Sequence, residues 1–156
     1  MVAVQAWRFC DAKWASPPLS GEGARRYGGR WNSRGTAVAY TAGSRALATL
    51  EVRVHATPGV APTTHVAIEV TIPEVLVEEL DRATLPADWR RYPAPASLAA
   101  FGDAWVAGRS SVALAVPSAV IPEELNFLIN PGHPDFARIT TEPPVRVVYD
   151  PRLFGT

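Results

Sequence analysis

The stretch THVAIEVTI, residues 64 to 72, alternates apolar and polar side chains with a period of two. That alternation is typical of a β-strand with one buried face and one solvent face. The pattern places His65 and Glu69 on the solvent face, and Pro73 ends the strand. The side chains on the buried face are those of Val66, Ile68, Val70 and Ile72. A strand of this length needs a sheet to lie in, so the fold contains substantial β-structure.

Shorter elements are predicted on both sides of this strand. Ser44 is typical of a helix N-cap, and apolar residues follow it at helical spacing, namely Ala46, Leu47, Leu50 and Val54. Residues 97 to 106 also favour a helix, and residues 122 to 129 favour one or two helical turns. Further strands are predicted at residues 4–9, 36–41, 75–80, 112–116 and 146–149, with 75–80 at a sheet edge.

The order of these elements predicts the fold class. Strands and helices mix without a regular βαβ rhythm, and residues 16–23 form a Pro/Gly/Ser-rich loop that runs into Arg30, Trp31 and Asn32. At 156 residues without repeats or linkers, the chain matches one domain over residues 1–156. We therefore expect a single α+β domain with a split, mainly antiparallel sheet and short helices.

Composition excludes several classes of protein. Fifteen basic residues balance fifteen acidic ones, so the chain lacks the excess positive charge expected of a direct nucleic-acid binder. No apolar run is long enough to cross a membrane and no signal peptide is recognisable, so we expect a cytoplasmic protein. A single cysteine and three unpaired histidines predict neither a disulfide nor a metal site. Dinucleotide fingerprints, a P-loop and a serine-hydrolase elbow are absent.

Four stretches carry polar residues beside aromatic ones: WRF at 7–9, GGRWN at 28–32, AYTAGSRALATLE at 39–51 and VPSAVIPEELNFLINPGHPDF at 116–136. Together these stretches resemble the RES domain, which is named for an Arg, a Glu and a Ser. The resemblance implies the toxin of a bacterial toxin–antitoxin pair, with a fold similar to ADP-ribosyltransferases, that consumes NAD⁺. Relatives of this kind use inorganic phosphate as acceptor and release nicotinamide and a phosphorylated ADP-ribose.

The resemblance also implies partners. NAD⁺ is then the substrate and phosphate the co-substrate, and no other cofactor is expected. The natural partner is an Xre-like antitoxin that forms a hetero-oligomer with the toxin and blocks the pocket entrance with its C-terminal segment. Any contact with DNA is then made by the antitoxin.

Two residues are the candidates for catalysis. Cleavage between nicotinamide and ribose passes through an oxocarbenium-like transition state, which a carboxylate near the ribose stabilises. Glu51, on the predicted helix, is the candidate carboxylate, and a surface pair with Arg53 is the alternative. Arg8, between two aromatic residues, suits the diphosphate, because a guanidinium matches phosphate oxygens with a planar fork of donors. A structural ion pair is the alternative for Arg8.

Four further residues are candidates for substrate binding. Arg30 suits a diphosphate or ribose contact, or else stacks on Trp31 at the surface. Tyr40 is suited to stacking on a ring of NAD⁺, with core packing as the alternative. Ser118 is assigned to hydrogen bonding with the ligand and not to nucleophilic attack. Asn130 is assigned to the pocket, with turn capping left open, as it is for Asn126, while His133 favours a turn.

Three functions follow as hypotheses. The leading one is an NAD⁺ phosphorylase or glycohydrolase toxin. The second is an ADP-ribosyltransferase that acts on a macromolecule, and the third is a non-enzymatic module that binds the antitoxin. Sequence alone does not separate the first two, but every polar residue that the chemistry needs is present, which disfavours the third.

Overall fold

The computed structural model describes residues 2–155. Within that range eight strands form one sheet, and three α-helices and several short 3-10 helices surround it. The strands are β1 (Ala3–Asp11), β2 (Ala39–Ala42), β3 (His65–Pro73), β4 (Val77–Glu79), β5 (Ala113–Pro117), β6 (Leu125–Ile129), β7 (Thr140–Thr141) and β8 (Val145–Arg146). The helices are α1 (Glu22–Tyr27), α2 (Arg45–His55) and α3 (Ala96–Gly108). The α+β class predicted from the sequence is confirmed.

The sheet is mainly antiparallel. Its strand order is β4-β5-β6-β2-β1-β3-β7, and β8 pairs with the other end of β3. Only the β4–β5 pair is parallel in the described chain. The longest ladder joins β1 to β3 from the pair Ala3 and Pro73 to the pair Asp11 and His65. This ladder, which contains the alternating stretch at 64–72, fixes the position of every residue on β1.

The sheet is almost divided between β1 and β2. These strands share a single register pair, Trp7 with Ala42, and the ladder does not continue to Arg8 and Thr41. Strand β2 instead pairs along its whole length with β6, from Ala39 to Ala42. The two halves of the sheet therefore separate just past Trp7 and leave a cleft between β1 and β2.

The apolar core is made of separate clusters. The first cluster spans both halves of the sheet, with Ala6 and Ile68 from β1 and β3 and Ile129 from β6. A second cluster places Trp31 and Leu128 against Leu98 and Trp105 of α3. Burial of these apolar side chains supplies most of the free energy of folding.

Helix α2 closes the cleft from one side. The Ser44 hydroxyl accepts a hydrogen bond from the Leu47 N–H at 3.0 Å, as predicted for an N-cap. Leu47 and Ala48 are buried, whereas Ala46 and Val54 are exposed, so the buried stripe is narrower than the sequence suggested. Across residues 2–155, none of the helices has both the length and the apolar character needed for a membrane span.

Three local predictions are wrong. Residues 125–129 form the strand β6 and not helical turns, because this apolar segment pairs with β2 on one side and β5 on the other. Residues 22–27 form a helix inside the predicted loop region, where Glu22 pairs with Arg25 and Arg26. The last predicted strand is only Val145–Arg146, and it does not extend to Tyr149.

Gly102 gives a test of how α3 packs. A Cβ at this position would stand 1.7 Å from the backbone oxygen of Trp31, which cannot move freely. We expect Gly102→Ala to lower the free energy of unfolding by about 1–3 kcal/mol or more, as overpacked sites do. Chemical denaturation monitored by circular dichroism measures this change.

Gly108→Ala is the matched control on the same helix. A Cβ there meets nothing within 4 Å, so the helix propensity of alanine acts alone and stabilises the protein by up to about 1 kcal/mol. Equal effects of the two substitutions would contradict the described contact between α3 and Trp31.

Candidate active site

A cavity of about 890 Å³ occupies the cleft between β1 and β2. Its volume lies in the range of roughly 300–1,000 Å³ that small-molecule sites occupy. Strand β1 contributes Trp7, Arg8 and Phe9, β2 contributes Tyr40 to Ala42, and α2 contributes Glu51 and His55. The glycine-rich segment 28–31 lines the opposite wall. Arg8 and Glu51, the two predicted catalytic residues, therefore face one cavity.

Arg8 reaches across the divided part of the sheet. Its Nη1 donates to the backbone oxygen of Tyr40 at 3.4 Å, a long bond in the gap where the β1–β2 ladder stops. Its Nε is buried without a hydrogen-bond partner among the described residues, and no carboxylate there forms an ion pair with it. A buried guanidinium that is only partly satisfied favours an anionic ligand over the structural ion pair.

Glu51 is held by one of its two carboxylate oxygens. Its Oε1 accepts from the Ser118 hydroxyl at 2.7 Å and from the Asn126 amide at 3.0 Å. No side chain or backbone group in residues 2–155 donates to Oε2. Glu51 is half-buried and lines the cavity, and it forms no ion pair with Arg53. The arrangement fixes the carboxylate while leaving one oxygen available to a ligand.

Ser118 lies behind Glu51 and not against the cavity. The residue is fully buried, and its hydroxyl donates to Glu51 while accepting from the N–H groups of Val120 and Ile121, both at 3.1 Å. A hydroxyl has one proton to donate, so the proton that Glu51 receives is not available to a ligand. The sequence assigned Ser118 to a direct hydrogen bond with the ligand. In the structure its hydroxyl positions Glu51 instead.

Tyr40 forms part of the wall opposite Arg8. Its hydroxyl donates to Asn32 Oδ1 at 2.6 Å and accepts from the Trp31 N–H at 3.0 Å. Burial raises the pKa of the Tyr40 hydroxyl above its ordinary value, so the group stays protonated and remains a donor. A Cβ at position 29 would stand 2.7 Å from this hydroxyl, which explains the glycine there. Tyr40 lines the cavity and also holds the glycine-rich segment in place.

Arg30 faces the cavity and anchors a neighbouring segment. Its Nη1 donates to the backbone oxygens of Trp89 at 2.7 Å and Arg91 at 3.1 Å. Burial lowers the pKa of this guanidinium, while the Glu51 carboxylate acts in the opposite direction. Arg30 and Glu51 line the same cavity, and none of the cation–π contacts in residues 2–155 joins Arg30 to Trp31.

Comparisons with known proteins identify the family of this chain. The family model of the RES domain matches residues 5–150. The chain belongs to the RES-domain toxin family. A toxin of Sphingobium sp. named Prs ADP-ribosylating toxin is 40% identical over 152 residues, covering 94% of each chain. A protein named Toxin Res from Yersinia enterocolitica is 34% identical and covers 94% of this chain and 97% of its own.

One solved structure shows the same fold. The toxin–antitoxin complex MbcT–MbcA of M. tuberculosis contains a chain that superposes with a TM-score of 0.72 at 22% identity. The superposition covers 98% of this RES-domain chain and 87% of that chain. At this identity the likeness establishes the fold and not the chemistry of the site.

Asn130 and His133 lie away from the RES-domain cavity. The Asn130 amide donates to the backbone oxygen of Val106 at 3.2 Å and accepts from the Gly132 N–H at 3.0 Å. His133 contacts the backbone oxygen of Arg109 at 3.0 Å. Neither residue lines the cavity, so the structure assigns Asn130 to its turn and does not bring it to the predicted substrate site. His133 favours a turn, as the sequence suggested.

Asn126 and His65 also line the cavity. The sequence left Asn126 open between the pocket and a turn; from β6 its amide donates to Glu51, and its Oδ1 is buried without a partner among residues 2–155. His65 was predicted to face solvent, which is wrong: it lines the cavity, and its Nδ1 lies 2.9 Å from the Tyr149 hydroxyl. Burial lowers the pKa of His65, and the nearby Asp11 opposes this shift.

Tyr40→Phe tests the wall formed by the glycine-rich segment. Removing the hydroxyl leaves the Trp31 N–H and the buried Asn32 Oδ1 each without a partner, so we expect a loss of about 1–3 kcal/mol in the free energy of unfolding. Denaturant titration measures this loss. Tyr27→Phe is the control, because that tyrosine is 67% exposed and we expect no change. An unchanged stability of Tyr40→Phe would show that the hydroxyl does not support the wall.

Proposed function

We propose that this RES-domain toxin cleaves the bond between nicotinamide and ribose in NAD⁺, with inorganic phosphate as the acceptor. The observation that carries the proposal is the Glu51 carboxylate, which is fixed at Oε1 and open at Oε2 in the same cavity as Arg8. No other cofactor enters the proposed reaction. The family relatives named as toxins support the biological role.

The reaction assigns different roles to the two charges. As the nicotinamide departs, positive charge develops on the ribose, and a fixed carboxylate stabilises this charge without reorganising. Arg8 then binds the diphosphate, whose oxygens match the guanidinium fork. Ser118 is fully buried, does not line the cavity, and its oxygen accepts from the N–H groups of Val120 and Ile121, so it is not placed to attack the substrate. The acceptor oxygen therefore comes from phosphate in solution.

One observation favours a second candidate function. The Sphingobium relative is named an ADP-ribosylating toxin, which supports transfer of ADP-ribose to a macromolecule. The same carboxylate and cavity serve this reaction, since only the acceptor differs. The balanced charge of the chain, with fifteen basic and fifteen acidic residues, disfavours a nucleic acid as that acceptor.

Product analysis tests the proposal. We expect the purified chain to consume NAD⁺ and release nicotinamide, faster with phosphate than without, and with phosphorylated ADP-ribose as second product. Glu51→Gln keeps the shape of the side chain but removes its charge, so we expect the rate to fall at least about 100-fold. Chromatography of the reaction mixture measures both products.

The control for this experiment is Glu79→Gln, an exposed residue on the edge strand β4, which we expect to retain full activity. If NAD⁺ is consumed at a rate that does not depend on phosphate, and a protein becomes ADP-ribosylated, the second candidate is favoured. If Glu51→Gln still cleaves NAD⁺ at the full rate, the Glu51 carboxylate is not required for the reaction.

The same geometry supports a partner. The solved relative is a toxin–antitoxin complex, and we propose that an antitoxin, of Xre-like type by the family resemblance, covers the cavity mouth of this chain in a hetero-oligomer. We expect segments of β1 and α2 that line the cavity to exchange amide hydrogens more slowly in the complex, with NAD⁺ cleavage inhibited. A complex that is inhibited while the cavity stays open to NAD⁺ would exclude this mode of inhibition.

A further inference from the structure

The rim of the cavity contains a segment, residues 89–94, that is tied down by a cavity residue. Arg30 donates from its Nη1 to the backbone oxygens of Trp89 and Arg91, which precede Tyr92 in the chain. Tyr92 and Ala94 from this rim segment line the cavity. The position of Tyr92 at the mouth is therefore set by the half-buried Arg30 guanidinium through its two backbone contacts.

Tyr92 presents an unusually open aromatic ring at this place. The residue is 76% exposed although it lines the cavity, and its ring packs against the ring of His55 with centroids 6.0 Å apart and a tilt of 51°. The His55 contact restricts the ring while most of its surface stays uncovered. An exposed aromatic surface beside the cavity suits a planar ligand group.

The position of Tyr92 relative to Glu51 identifies which group of the ligand it meets. His55 follows Glu51 by four residues on α2, so the two side chains are neighbours on one helix face, about 6 Å apart at Cβ. The Tyr92 ring packs on His55 with centroids 6.0 Å apart, and both Tyr92 and Glu51 line the cavity. Tyr92 is therefore linked to the carboxylate through a single intervening residue, His55.

We propose that Tyr92 is the stacking platform for the cationic pyridinium ring of NAD⁺. This inference rests on the proposed function, in which the bond next to Glu51 joins that ring to ribose. Only the pyridinium ring is attached to the reacting carbon, whereas the adenine lies beyond the diphosphate. A tyrosine face also attracts a cationic ring more strongly than a neutral one.

This assignment has a consequence for the order of events. When the C–N bond breaks, its electron pair stays on the ring nitrogen and the nicotinamide becomes neutral. The positive charge passes to the ribose, where Glu51 stabilises it until the phosphate oxygen forms the new bond. The attraction to Tyr92 is therefore lost on cleavage, so the platform favours binding of the substrate over retention of the released nicotinamide.

Binding measurements on a chain that does not turn over test the platform. In the Glu51→Gln background, titration calorimetry gives the Kd for NAD⁺ and for ADP-ribose, which has the adenine but lacks the pyridinium. We expect Tyr92→Ala to weaken NAD⁺ binding roughly 3- to 30-fold, the range of cation–π contacts. We expect ADP-ribose binding to change less than about twofold, since it lacks the cationic ring.

Tyr92→Phe is the matched control, because it keeps the ring and removes only the hydroxyl. We expect this variant to bind NAD⁺ as tightly as the chain with Tyr92. Thermal unfolding of each variant confirms that the fold is retained. An equal loss of affinity for both ligands would assign Tyr92 to the adenine and overturn the inference, and so would an unchanged Kd for NAD⁺. NAD⁺ consumption by the unmodified chain reports separately on the proposed function.

Discussion

The interruption of backbone pairing between β1 and β2 is the constraint on which the site depends. The two strands share only the pair Trp7 and Ala42, so their backbones separate where Arg8 and Tyr40 lie. A continuous ladder would bring these strands within about 5 Å and leave no room for a ligand. The interruption is stable because β1 is anchored to β3 and β2 to β6 along nearly their full lengths. Each wall is thus held by pairing that does not cross the cavity.

The polar groups of the cavity are arranged in two layers. Behind the wall, Ser118 and Asn126 donate to one oxygen of Glu51, whereas Asn32 Oδ1 accepts from the Tyr40 hydroxyl. On the cavity side, Glu51 keeps an uncommitted oxygen, and Arg8 has no carboxylate partner within residues 2–155. Charge left unpaired in this way lowers stability in the free chain, and such a cost is common where an ionic ligand restores the pairing. The orienting layer comes from β5, β6 and the loop before β2, which explains why these residues are distant in sequence.

Much of this arrangement was predictable from the sequence, and the errors have physical causes. The alternating stretch 64–72 predicted β3 and the Ser44 cap predicted α2, because both signals are local in the sequence. Residues 125–129 were misassigned because a short apolar run fits a helix or a central strand equally well, and only pairing with β2 and β5 decides it. That error left the role of Asn126 undecided between the pocket and a turn, whereas from β6 its amide donates to Glu51. His65 was placed in solvent because periodicity specifies a face of the strand but not what covers that face.

The preorganised carboxylate also restricts how such a chain is controlled. Glu51 is oriented by Ser118 and Asn126, and the rim segment is tied to Arg30, so on the proposed function the chain itself supplies the ordering that catalysis needs. Disordering the site would require breaking bonds of the buried Ser118, which also binds the backbone at Val120 and Ile121. Covering the open mouth needs none of these bonds to break. Occlusion by a partner is therefore the lower-energy route to inhibition for this architecture, and release of that partner restores a site that is already assembled.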